Sequence, residues 1–238
     1  MVLKKLNMFL GIDSPLDEFH LSLIPDQSLS DKDFITATEE KHLKQTILST
    51  KGLTERKAKY RPLIMDSNAC IINLIVNYGL SLQELVSLNM SHIQFASNTL
   101  IVPVENGMTR SISLTGEDTK QLYKYYKMIP EPVRPRQYTD NPFFVAFDFN
   151  RGTYRWVYEN DAPKALSEVA VQKMIRLEVK RAGGNRRISA QQMRNTCVLR
   201  LIKQGINEDE LVSRMGFKTK ISLKRYFRYL QQVQLKHV

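Results

Sequence analysis

The sequence predicts a mainly α-helical fold with a small antiparallel β-sheet. Three observations carry that prediction. Apolar residues recur at helical spacing, most clearly Leu63, Ile64, Cys70, Ile71, Leu74 and Ile75. Helix-start signals stand in the right places: Thr36 with Glu39, Ser81 with Glu84 and Ser189 with Gln192 each set a Ser or Thr three residues before a Glu or Gln. β-Prone runs gather between residues 92 and 114, broken at Ser97-Asn98 and Asn106-Gly107, dipeptides suited to tight turns.

Residues 2–10 have the pattern of the end of an amphipathic helix, and a polar linker with Pro15 and Pro25 runs to about Asp33. The expected division is therefore 1–33, helix end plus linker, and 34–238, the main domain with its C-terminal helix. The Thr36 capping box opens a helix through Ser49. A central helix is expected over about 62–77. Ser81 opens a short helix to about Leu88, and Ser is a preferred N-cap. His92–Phe95, Thr99–Val104 and Arg110–Leu114 supply the strands of one small sheet, and a helix follows at about 117–128. Residues 129–164 contain Pro130, Pro132, Pro135, Pro142 and Pro163 and read as irregular, with a strand at Phe143–Phe147. Ser167 caps a helix to about Arg181, which Gly183-Gly184 ends. The helix opened by Ser189 carries Arg194 and stops at Gly205; Asn207-Glu-Asp-Glu210 opens the next, and the last runs over about 220–235.

The 238 residues carry a formal net charge of +11. Such a chain calls for an anionic partner, nucleic acid or an acidic membrane surface. No run of 18 apolar residues occurs, and Leu6–Ile12 after Lys4-Lys5 is too short and polar for a secretory core. Cys70 and Cys197 sit in apolar helical patterns and read as buried thiols of a reducing cytoplasm. Four scattered histidines build no zinc set, so neither a metal nor a cofactor is expected. The charge is uneven. Residues 171–203 hold nine Lys/Arg against one Glu, and residues 214–228 hold six Lys/Arg and no acid, while the remainder is net −3. Lys173, Arg176 and Lys180 form a basic stripe at helical spacing opposite Val171, Met174 and Ile175.

An ordered set of motifs sharpens the reading. Near the C-terminus stand Gln191-Gln-Met-Arg194-Asn-Thr196, then Met215-Gly216-Phe217, then Arg225-Tyr226, with Tyr226 ten residues beyond Gly216. Upstream stand Gly79-Leu80-Ser81-Leu82-Gln83-Glu84-Leu85 and Glu105-Asn106-Gly107-Met108-Thr109-Arg110. Over about residues 34–230 this set resembles the tyrosine recombinase (phage integrase) family. That family carries His-x-x-Arg, then Leu-Gly-His/Trp, then a nucleophilic Tyr; its first Arg lies in Gly-Leu-Arg-x-x-Glu-Leu and its Lys in a hairpin loop. The resemblance maps Arg194 and Tyr226 onto retained positions, and Ser81, Met108, Gln191 and Phe217 onto substituted ones.

In the family, Tyr attacks phosphorus, two Arg and the His/Trp group balance the developing charge, and Lys protonates the leaving 5′ oxygen. Each such group is worth ~10²–10⁴ in rate. Ser81 lacks a guanidinium, Met108 has no proton to give, Gln191 is uncharged and Phe217 cannot donate. The resemblance therefore implies a tyrosine recombinase catalytic-domain-like fold with no working catalytic group. It also implies DNA contacts from the helix before the His-x-x-Arg segment and nearby loops, here Lys173, Arg176, Lys180, Arg186 and Arg187. Lys218, Lys220, Lys224 and Arg225 come from the second basic window, and Arg194 serves as a phosphate clamp.

The expected function is sequence-specific binding of duplex DNA by an inactive recombinase scaffold, a bacterial or prophage repressor-type regulator in the cytoplasm and nucleoid. Two alternatives stand beside it: an active site-specific recombinase using Tyr226 with shifted residues such as Arg110 or Lys218, and an interaction module that controls an active recombinase. The resemblance implies self-association on DNA through the C-terminal segment, where Phe227, Leu230, Val233 and Leu235 supply one apolar stripe; docking of that segment on its own subunit is the alternative.

Overall fold

The computed structural model describes residues 28–103, 109–184 and 188–235. The expected first helix end, the turn Asn106-Gly107, Met108, Arg186 and Arg187 lie outside the described residues. The chain divides into two compact units, one of residues 31–224 and the other of residues 1–30 with 225–238.

In the larger unit, helix α1 (Ala37–Ile47) opens on the Thr36 capping box, with both of its reciprocal hydrogen bonds formed. Helix α2 (Glu55–Tyr78) is the spine. Its Ile71, Ile72, Leu74, Ile75 and Val76 are buried, and it packs against α4 (Gly116–Met128) and α6 (Ala190–Lys203). The short α3 (Leu82–Val86) follows, then the sheet β1 (Ile93–Gln94), β2 (Thr99–Pro103) and β3 (Thr109–Ser113), antiparallel throughout, with Leu100 opposite Ile93 and Ile112. Helix α5 (Glu168–Arg181), α6 and α7 (Glu208–Met215) complete this unit; α8 (Lys224–Leu235) runs into the other.

The structure corrects the sequence reading on four points. Helix α2 begins at Glu55, not near residue 62, and Pro62 lies inside it. Proline normally breaks a helix interior, but the neighbouring Arg61 is buried and bonded to Glu178 and the Ile47 carbonyl, so tertiary contacts hold this turn helical. The strand expected at Phe143–Phe147 is confined to β4 (Phe147–Asp148), paired with β5 (Thr153–Tyr154). A strand alternates its side chains between two faces, yet Phe143 and Phe144 are both buried, each with its ring centroid 5.5 Å from that of Tyr125. One sheet was expected; β4–β5 and a further pair, β6 (Trp156–Val157) with β7 (Ala162–Pro163), add two small ones within the proline-rich stretch. The final helix is also preceded by a separate 3₁₀ turn, Lys220–Leu223.

Candidate functional site

Helix α2 ends at Gly79 in the left-handed conformation, φ +68°, where a Cβ would collide with the Met215 methyl group. The reversal sets Ser81 as the N-cap of α3. The Glu84 N–H donates to Ser81 Oγ at 3.2 Å, and the Ser81 N–H donates to Glu84 Oε2 at 2.7 Å. The substituted position is thus a cap, as its residue type suggested.

Glu84 does more than cap. Its Oε1 accepts from Arg110 Nε at 3.1 Å and Nη2 at 2.9 Å, and its Oε2 lies 3.3 Å from Arg194 Nη1. Arg194 Nη2 also donates to the Met215 carbonyl at 2.5 Å, placing a cation at the C-terminal end of α7. The Arg194 guanidinium carbon stands 5.5 Å from the Phe217 ring centroid. Gly216, φ +63°, lets the chain pass: a Cβ there would stand 3.1 Å from both Arg110 Nε and Glu84 Oε1. Burial lowers the pKa of Arg110 and Glu84 opposes the shift; the buried Nη1 of Arg110 has no hydrogen-bond partner among the described residues.

These groups line a cavity of about 540 Å³. The structure brings Ser81, Arg194, Phe217 and Lys218 to it, together with Glu84 and Arg110. Gln191 is not among its lining residues: it is exposed and donates to Asn195 Oδ1 at 2.7 Å. Tyr226 belongs to the other unit and is buried; Arg225 Nη2 donates to its hydroxyl at 3.0 Å, and the Arg225 guanidinium lies 4.9 Å from its ring centroid. The sequence reading missed the joint role of Glu84 and Arg110. The available signal was that a carboxylate and two arginines all occurred in the motif set.

The predicted DNA-binding residues separate by environment. On α5, Lys173, Arg176 and Lys180 are exposed, with no hydrogen bond or ion pair among the described residues. The opposite face of α5 is anchored by Glu178, the one acid of that basic window. Glu178 is fully buried and takes Arg61 Nη1 at 2.6 Å and Arg181 Nη1 at 2.5 Å. The exposed Lys218 and Lys224 are the remaining cations of the second window in the larger unit, together with Lys220 and Arg214. Lys220 sits 2.8 Å from Asp209 Oδ1 and is paired. Arg214 is paired as well, with Glu210 at 3.0 Å. Among the described residues no group of His, Cys, Asp or Glu could hold a metal ion, and no helix is long and apolar enough to cross a membrane.

The model of the phage integrase family matches residues 53–232, and the chain belongs to that family. Solved tyrosine recombinases share its fold. XerA recombinase aligns over 99% of this chain and 73% of its own, at 17% identity and TM-score 0.62. The XerH site-specific recombinase, in a post-cleavage complex with palindromic difH substrate, aligns over 86% of this chain and 52% of its own, at 14% identity and TM-score 0.63. The Tn1549 transposon integrase, in complex with transposon right-end DNA, aligns over 91% and 69%, at 19% identity and TM-score 0.59. This chain thus spans about half the length of the XerH chain. Among curated proteins none matches the chain.

Proposed function

We propose that this chain binds duplex DNA on a recombinase scaffold without cutting it, as a sequence-specific regulator of repressor type in a bacterium or prophage. The observation that carries the binding is α5: Lys173, Arg176 and Lys180 are exposed cations on a helix whose other face is fixed by the buried Arg61–Glu178 pair. Rigidly mounted cations at this spacing suit phosphate contacts, and Gln172, Lys173 or Arg176 would read base edges. The XerH and Tn1549 proteins are seen with DNA, which supports a nucleic-acid partner for a fold of this kind. Arg186 and Arg187, which follow α5 in the sequence, belong to the same reading.

The silence rests on the cavity. Ser81 is spent as a cap, Phe217 offers no donor, and Arg194 and Arg110 share the Glu84 carboxylate. Copies would associate on DNA through the C-terminal segment, and the protein would reside in the nucleoid. Selection of binding sites from random duplexes tests the reading: a consensus sequence is the expected result, and no enrichment over random duplex sinks it.

One observation favours a second reading. Arg110, whose buried Nη1 has no hydrogen-bond partner among the described residues, lines the same cavity as Arg194, so Arg110 would stand in for the arginine absent at position 81 in a working recombinase. A nicked suicide duplex, which traps covalent protein–DNA adducts, separates the two.

A further inference from the structure

We propose that the chain has a second site, apart from the Glu84 cavity, that takes a small hydrophobic organic anion: an aromatic or medium-chain carboxylate. A cavity of about 370 Å³ lies among α2, α5 and the aromatic segment 144–154. Small-molecule sites run from about 300 to 1,000 Å³ and are mostly apolar with a few placed polar groups. The walls here are of that kind, formed by Ile64, Phe144, Phe147, Tyr154, Leu166 and Met174.

The charge on these walls is one-sided. The charged lining residues are Lys57, Arg61, Lys173 and Glu178. Glu178 is satisfied by Arg61 and Arg181, so it neutralises Arg61 and leaves the lysines uncompensated. Neither Lys57 nor Lys173 has a hydrogen bond or ion pair among the described residues. Lys173 is exposed and Lys57 half-buried, so their ammonium groups belong to the solvent side of an apolar chamber. A ligand that matches has an apolar body to displace water from the aromatic walls and one anionic head for the lysines. A polyanion such as a nucleotide would have to desolvate charge among Phe144, Phe147 and Tyr154, which is costly.

Lys173 belongs both to this cavity and to the exposed stripe of α5. A bound anion would draw Lys173 away from DNA phosphate, so ligand and DNA would oppose one another by linkage. That coupling rests on the proposed DNA-binding function; ligand binding itself does not.

The test titrates the full chain with 8-anilinonaphthalene-1-sulfonate, a fluorescent apolar anion. One saturable site that decanoate empties is expected. N-Phenyl-1-naphthylamine, which has the same rings without the sulfonate, should bind about tenfold more weakly, the worth of a charge-assisted hydrogen bond. Lys57→Gln with Lys173→Gln should weaken the sulfonate probe about tenfold or more. Ala170→Phe, which places a ring in the cavity, should abolish binding, with circular dichroism and a thermal melt reporting that each variant is folded. Unsaturable binding, equal binding to Ala170→Phe, or equal affinity for the neutral analogue overturns the site. Decanoate should also weaken duplex binding severalfold in the parent and not in Ala170→Phe. If the probe binds as expected and decanoate leaves DNA affinity unchanged, the coupling is overturned. If the parent binds no duplex at all, the DNA reading fails while the probe titration still decides the site.

Discussion

Arg61 of α2 and Glu178 of α5 form a buried ion pair, with Nη1 2.6 Å from Oε1 and the two side chains 2% and 0% exposed. Arg61 Nη2 reaches Glu178 Oε2 at 3.0 Å, and its Nε donates to the Ile47 carbonyl at the C-terminal end of α1 at 3.1 Å. One guanidinium therefore ties together three helices. Removing one member of a buried pair leaves the other charge uncompensated, at a cost of about 3–5 kcal/mol. Arg181 would still hold Glu178 in an Arg61 variant, so the informative change is Glu178→Met, which leaves the buried Arg61 with no carboxylate among the described residues. It is expected to lower stability by that amount, read as a shift of the urea midpoint at unchanged slope. A loss below about 1 kcal/mol would show that water reaches Arg61.

The basic stripe makes a quantitative statement about salt. Each phosphate neutralised contributes about 0.9 to the slope of log K against log salt on B-form DNA. Reversing Lys173, Arg176 and Lys180 together should reduce the magnitude of that slope by about 3. The same reversal at the exposed Lys41, Lys51 and Lys120 is the control. Lys44 makes a poor control because it pairs with Glu40 at 2.7 Å. Equal effects from the two sets would remove α5 as the docking element.

Tyr226 gives a binary outcome. No covalent adduct should form on a nicked suicide duplex, and Tyr226→Phe should keep duplex affinity within about 1 kcal/mol, since it removes only the hydroxyl that accepts from Arg225. An adduct that vanishes in Tyr226→Phe would promote the active-recombinase reading. Arg194→Ala should cost about 1–3 kcal/mol of duplex affinity if it clamps phosphate. It should lower the melting temperature too, because it strips partners from Glu84 and the Met215 carbonyl.

Cys197 gives the chain an alkaline weakness. Burial raises its thiol to about 11 from an ordinary 9.0, with the nearby arginines opposing, and the thiol donates to the Asn77 carbonyl at 3.4 Å. A group raised in the folded state stabilises fully below its unfolded value and loses that contribution as the pH climbs through the folded one. Stability should therefore fall between pH 9 and 11. Comparing pH 8 with pH 10 by urea denaturation, Cys197→Ala should lose about 1 kcal/mol less than the parent. Burial also raises Cys70 and Tyr154, so part of the slope should persist in the variant. Identical slopes would mean that the thiolate is tolerated in the fold.

What the sequence by itself determined lies within a few residues of each signal. The capping boxes at Thr36, Ser81 and Ser189 were legible because both partners of each bond stand three residues apart and bond through the local backbone. The sheet at 93–113 was legible from its β-prone runs and the turn dipeptide between the first two, and the family from the order and spacing of its motifs. The tertiary structure decided which charges are spent and which are free. Glu84 gathers Arg110 and Arg194 from 26 and 110 residues away. Glu178, read as a lone acid in a basic stripe, turned out to be the buried anchor for Arg61, 117 residues away. Lys220 looked like its neighbours until Asp209 was found beside it. Pro62 continued a helix that its own chemistry should break. The physical reason is the same in each case. A local hydrogen bond is fixed by backbone geometry over one turn, whereas the partner of a charged side chain is chosen by which helices pack together and how far they exclude water.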